Sequence, residues 1–188
     1  MTTKCMTKCE TRNMPVWAKN LSLIVGASIL LGLSAYVSIP LPFTPIPIVT
    51  QNSLVLLLAV LLGSKKAPAA VAAFLAQGAL GLPVFAGGGF GVATLLGPRA
   101  GYLVGYLVAA YVVGRLIEIS GKRTIMNAFL AMFAGTVVIY LFGAFNLSFY
   151  VGGVQALTLG VAPFILGDAL KMAIGLSLLR LCGWTKKK

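Results

Sequence analysis

Long apolar runs punctuated by basic residues constrain this chain more than any other feature it has. Thirteen of its fifteen Lys and Arg residues flank or separate those runs: Lys4, Lys8, Arg12 and Lys19 before the first, then Lys65 and Lys66, then Arg115, Lys122 and Arg123, and finally Arg180 with Lys186, Lys187 and Lys188. About 18 or more apolar residues in helical form cross the hydrocarbon of a bilayer. The runs therefore predict an all-α integral membrane protein with six transmembrane helices, at about 21–39, 49–62, 68–82, 98–117, 124–145 and 161–181. The second and third are short, and at ~1.5 Å per residue each spans only about 20–24 Å. Such helices need tilt, a locally thin bilayer or flanking backbone buried in protein. Gly63-Ser64-Lys65-Lys66 is the expected tight basic turn between them.

Composition supports this. Only 10% of the 188 residues are charged and 59% are hydrophobic, whereas a soluble domain carries charge on about a quarter of its residues. The net charge of +12 would point to nucleic acid in a soluble chain. Here the cations are dispersed among short loops and tails, which points to topology and anionic lipid, with no nucleic-acid partner. Six spans put both termini on one side, and the thirteen basic residues all fall on that side. Both termini are thus expected in the cytoplasm, with the chain in the cytoplasmic membrane. Residues 1–19 read as a tail without the apolar core of a signal peptide, 20–182 as the membrane domain and 183–188 as a basic cytoplasmic end.

Catalysis finds little support. The only acids are Glu10, Glu118 and Asp168, and there is no His. That leaves no paired carboxylate in one membrane half, no Ser/His or Cys/His arrangement and no phosphate-binding loop, so no enzyme and no self-contained ATP-driven pump is expected. Cys5, Cys9 and Cys182 read as incidental thiols, with no metal and no cofactor expected.

Two cations escape the alternation, Arg99 and Lys171, and Asp168 lies one helical turn before Lys171. An ion at the centre of a membrane helix costs about 2.5–3.5 kcal/mol on insertion scales. The i, i+3 spacing sets Asp168 and Lys171 on one helix face, about 10 Å below the outer end of the sixth helix, with Arg99 at the outer start of the fourth. The pair alone would serve to fasten helices together. All three charges in the outer half sum to +1, which leaves room for one anionic ligand group. Gly87, Gly88, Gly89 and Gly91 permit close backbone approach to a ligand or simply a flexible link. Phe43, Phe85, Tyr102 and Tyr106 offer apolar walls. Gln51, Asn52, Gln77 and Gln155 are amides placed either to hydrogen-bond a neutral polar group or to join helices. On the first helix, Ser22, Gly26, Ser28, Gly32 and Ala35 line up small residues. Ser28-x3-Gly32 lets another helix come close, either within the subunit or as a docking face for a second membrane protein.

Five ordered stretches carry a resemblance: Ala35 to Pro42, Pro45 to Gln51, Gly81 to Gly88, Leu96 to Leu103 and Pro163 to Lys171. Over residues ~20–182 the chain resembles BioY, the biotin-specific substrate-binding (S) component of energy-coupling factor (ECF) transporters. The resemblance implies a six-helix S-component bundle that captures biotin from outside, partnered by a transmembrane coupling protein and two cytoplasmic ATPases that alone use ATP. It implies a biotin pocket lined by Asp168 and Lys171 of the Gly-Asp-x-x-Lys motif and by the Gly97-Pro98-Arg99-Ala100-Gly101-Tyr102-Leu103 stretch, covered by the proline-rich run between the first two helices. The small-residue docking motif of S components stands here as Ser28-x3-Gly32. On this reading Asp168 accepts from the ureido ring of biotin and Arg99 attracts the carboxylate. The mirrored assignment, with Lys171 on the carboxylate, stays open. The rival readings are a solitary biotin carrier without ATPases and a membrane scaffold whose polar cluster only joins helices.

Overall fold

A computed structural model describes residues 15–36, 38–39 and 48–184. The proline-rich run with Phe43, the thiols Cys5 and Cys9, most of the N-terminal tail and the last four residues lie outside them. Seven α-helices make up nearly all of the described chain: α1 (Val16–Ser34), α2 (Gln51–Ala79), α3 (Val92–Leu95), α4 (Ala100–Ser120), α5 (Ile125–Val151), α6 (Gly153–Gly160) and α7 (Ala162–Leu181). Among the described residues α1, α2, α4 and α5 are each long and apolar enough to cross a membrane. Two short antiparallel strands, β1 (Ser38–Ile39) and β2 (Ile48–Val49), pair Ser38 with Val49 and Ile39 with Ile48. They bring the two ends of the proline-rich run together above the start of α2.

The expected basic turn is built around Gly63, whose φ of 80° and ψ of −179° interrupt α2. That backbone region is essentially open to glycine alone. The limbs on either side, 51–62 and 64–79, fold back on each other. Gln51 at the head of the first donates to Val84 O (3.2 Å), and Gly78 near the end of the second lies against the Phe85 ring. A straight helix of this length would hold those ends about 40 Å apart. Glu118 of α4 fastens the turn, accepting from Ser64 N–H (2.8 Å) and Ser64 Oγ–H (2.7 Å) at the start of the second limb, as an N-terminal cap does.

Local signals set the remaining boundaries. Gly121 takes the left-handed conformation (φ 62°) that ends α4, and Thr124 caps α5 by accepting from Asn127 N–H (3.2 Å). Several boundaries differ from the sequence reading. The first helix, expected to reach residue 39, ends at Ser34, and Ser38–Ile39 pair as a strand; the second limb of α2, expected over 68–82, covers 64–79, so that Ser64, Lys65 and Lys66 are helical. Helix α1 begins at Val16, inside the segment read as tail. Pro98 lies in a turn ahead of α4, and Arg99 is the residue that precedes the helix. The linker expected over 146–160 is helical: α5 runs on to Val151, and after Gly152 (φ 89°) α6 begins. Asn146, Ser148 and Gln155 make this stretch more polar, but the apolar residues between them carry the helix through.

Packing gathers α4 against α5 and against both limbs of α2, with α1 laid on α2 and with α6 and α7 closing on α5. Among the described residues, Arg115 and Arg123 mark one end of the bundle. Glu118 holds Arg115 (3.6 Å) beside Gly63 and Ser64, and the Arg123 guanidinium lies over the Trp184 ring, 5.8 Å from its centre. Arg99 and the head of α2 lie at the opposite end of α4, about 30 Å away along that helix.

Candidate functional site

At that opposite end, α2, α4, α5 and α7 surround a cleft with an open mouth. Asp168 and Arg99 both line it. Between them stand aromatic walls, among them Phe85, Tyr102, Tyr106 and Tyr140.

Of the wall residues expected from the sequence, Phe85, Tyr102 and Tyr106 line the cleft, and the first two are held by close packing. Gly78 leaves room for the Phe85 ring and Gly143 for the Tyr102 ring, and a Cβ at either glycine would collide with that ring. Phe85 also meets Phe74 edge to face, with ring centres 5.5 Å apart. Tyr102 donates from its hydroxyl to Gly160 O (2.8 Å), tying α4 to the end of α6.

Asp168, 6% exposed, is the polar centre of the cleft. Its Oδ2 accepts from Asn52 Nδ2 on α2 and from Tyr140 OH on α5 (2.7 Å), and its Oδ1 from Lys171 Nζ (3.2 Å). One carboxylate thus joins three helices, α2, α5 and α7, and each donor offsets part of the cost of burying it. Lys171 stands behind Asp168. Its ammonium donates to Val49 O of β2 (2.8 Å) as well as to the carboxylate, so it links the acid to the strand pair. Lys171 is not part of the cleft wall.

Arg99 Nη1 donates to Ala86 O (3.1 Å), which fixes the guanidinium over the glycine-rich loop. Partial burial lowers its pKa from the ordinary value; an arginine keeps its charge regardless. Gly87 and Gly88 have the left-handed φ values expected of them (71° and 75°). They shape the short 3₁₀ turn Ala86–Gly88, closed by the Phe85–Gly89 bridge, and the wall itself is made by Phe85 and Ala86. Gln51, 1% exposed, also lines the cleft. Its amide N–H groups are used within the chain, on Leu31 O (2.9 Å) and Val84 O (3.2 Å).

Ser28 and Gly32 are buried inside the chain. Ser28 Oγ accepts from Gln77 (3.0 Å), and a Cβ at Gly32 would meet the Val84 side chain at 3.0 Å. Of the two uses open to this pair, the structure employs packing within the subunit, because α1 must come close enough to reach Gln77 and Val84. Ser22 and Gly26, also on α1, remain exposed. The sequence reading did not single out Tyr140, and it held Asn52 only as one of four undifferentiated amides. Among the described residues, no group of three or more Cys, Asp or Glu side chains could hold a metal ion.

Comparison with known proteins identifies the family. The BioY family model matches residues 2–186. A curated biotin transporter BioY of Thermotoga maritima is 40% identical over 147 residues, covering 77% of this chain and 84% of that protein. A curated biotin transporter BioY of Lactococcus lactis is 32% identical over 176 residues, covering 90% and 92%. Among solved structures, the crystal structure of the S-component for biotin from an ECF-type ABC transporter superposes with a TM-score of 0.81 at 27% identity, covering 98% of this chain and 96% of that one. A family match over nearly the whole sequence, with relatives and a solved fold of matching extent, makes this multi-pass membrane protein a member of the BioY family.

Proposed function

We propose that this chain captures biotin from outside the cell as the S component of an ECF-type ABC transporter in the cytoplasmic membrane. One observation carries the reading: a single cleft with a buried acid at one wall, a cation at another and aromatic rings between. Biotin has a neutral, hydrogen-bonding ureido head, an apolar body and a carboxylate tail. Its head fits the corner of Asp168, Asn52 and Tyr140, its body the aromatic walls and its carboxylate Arg99. The relatives named as biotin transporters and the solved biotin S-component support the same ligand.

Six spans follow if the two limbs of α2 each cross once, together with α1, α4, α5 and α7. The basic end of the bundle then faces the cytoplasm and the cleft faces outward. A transmembrane coupling protein and two ATPases supply the energy, and α1 is the least covered of the long apolar helices and so the natural face for the coupling protein. Ser22 and Gly26 allow close approach there.

The test is equilibrium binding of labelled biotin to the purified protein, with competition by biotin carboxamide. Biotin binds saturably, and the amide competes about 10–100-fold more weakly because it forfeits a charge-assisted bond to Arg99. No biotin binding sinks the reading. Equal competition by the amide removes Arg99 from the carboxylate. In cells, uptake that survives ATP depletion removes the ATPase partnership.

A further inference from the structure

Among the described residues, one buried side-chain polar atom has no hydrogen-bond partner in the chain, Oδ1 of Asn52. Asn52 is 6% exposed and lines the cleft. Its amide orientation is dictated from behind. Asp168 Oδ2 accepts from the Nδ2–H side of the amide as well as from Tyr140, which turns the amide's carbonyl oxygen away from the carboxylate. Asp168, by contrast, is already well supplied with donors, from Asn52, Tyr140 and Lys171. The chain thus presents an acceptor in search of an N–H and, beside it, a carboxylate whose bonds are largely made. Buried acceptors are rarely left unpaired, and because Asn52 borders the cleft, a donor on a ligand seated there is the partner within reach.

We infer that Asn52 Oδ1 is the acceptor that reads an N–H of the ligand's cyclic urea, with Asp168 a positioning residue that holds the amide in the orientation this requires. The inference rests on the biotin reading above and assigns the recognition of the ligand head to a residue on the first limb of α2. It also explains the three-donor arrangement around Asp168: the carboxylate orients Asn52, and Lys171 and Tyr140 hold the carboxylate. A site built this way discriminates strongly against a ligand lacking the matching N–H, because the buried carbonyl is then stranded.

The experiment compares biotin with two lactam analogues, in which one or the other ureido N–H is replaced by CH2, on wild-type protein and on Asn52→Leu. Wild type binds at least one lactam about 10-fold or more weaker than biotin. Asn52→Leu binds biotin more weakly and loses that discrimination, holding biotin and the same lactam to within about threefold. An Asn52→Leu protein that keeps the wild-type ratio for both lactams overturns the inference. So does wild-type protein that binds both lactams as tightly as biotin, and that result needs no variant to fold. If wild type binds no biotin at all, the functional reading fails first. If it binds biotin but ignores the lactam change, only the role of Asn52 fails.

Discussion

Two acid–base pairs with the same i, i+3 spacing sit at opposite ends of this molecule and serve different ends. On α4, Arg115 and Glu118 lie 3.6 Å apart with side chains 53% and 42% exposed. On α7, Asp168 and Lys171 lie 3.2 Å apart with side chains 7% and 20% exposed. Glu118 fastens a turn, its oxygens meeting donors from Ser64 and Arg115, and it borders no part of the cleft. Asp168 is also well bonded, but its bonds end on Asn52, whose carbonyl oxygen has no partner. The difference teaches that spacing alone does not mark a site. A structural pair closes its own hydrogen-bond network, whereas a binding pair passes an unmet requirement on to the cleft.

Breaking the buried pair has the largest effect. Asp168→Ala strands the Lys171 ammonium in low dielectric and leaves Nδ2 of Asn52 and the Tyr140 hydroxyl without their acceptor. By analogy with other broken buried pairs it costs about 3–5 kcal/mol, seen as a lower melting temperature of the ligand-free protein in detergent, and biotin binding is lost. The double variant Asp168→Ala/Lys171→Ala sharpens the comparison, because it recovers part of the stability with no return of binding. Normal binding by either protein detaches Asp168 from the site.

Much of this corner was legible in the sequence, for a physical reason. Charges are so rare in the spans that Asp168, Lys171 and Arg99 stood out at once, and two of the three line one cleft. The reversal at Gly63 was legible because glycine and two lysines interrupt an apolar run. Tyr140 and Asn52 were not legible. Which side of α5 or of the first limb of α2 faces Asp168 depends on how each helix is rotated about its axis, and tyrosines and amides occur throughout such bundles without marking a site. The role of Lys171 was half visible: its partnership with Asp168 follows from spacing, but its bond to Val49 O depends on the strand pair that begins and ends the proline-rich run. Ser28-x3-Gly32 announced a close approach correctly and could not say of what. Only the folded chain shows Gln77 and Val84 in that space.

At the other end, Glu118→Ala tests whether the exposed pair is purely structural. The change removes the acceptor for Ser64 N–H at the start of the second limb, an effect of the size of a lost helix cap. The melting temperature falls by about 2–4 °C, while biotin affinity stays within about twofold of wild type, because nothing in the cleft touches Glu118. A tenfold loss of affinity would mean that the Gly63 turn and the cleft are mechanically coupled, and the contrast between the two ends would no longer hold.

The smallest effect belongs to Arg115→Ala. Its guanidinium is more than half exposed and meets Glu118 only at 3.6 Å, a geometry in which Coulomb attraction is screened by water and offset by the entropy of holding two long side chains together. The Ser64 contacts, both shorter, hold Glu118 in place without it. The variant therefore melts within about 1 °C of wild type and binds biotin as wild type does. In the Glu118→Ala background the same substitution adds nothing further, since the partner it would lose is already gone. If Arg115→Ala instead destabilises as much as Glu118→Ala, the arginine and the acid act as one unit at the turn, and the two ends of the bundle differ only in burial.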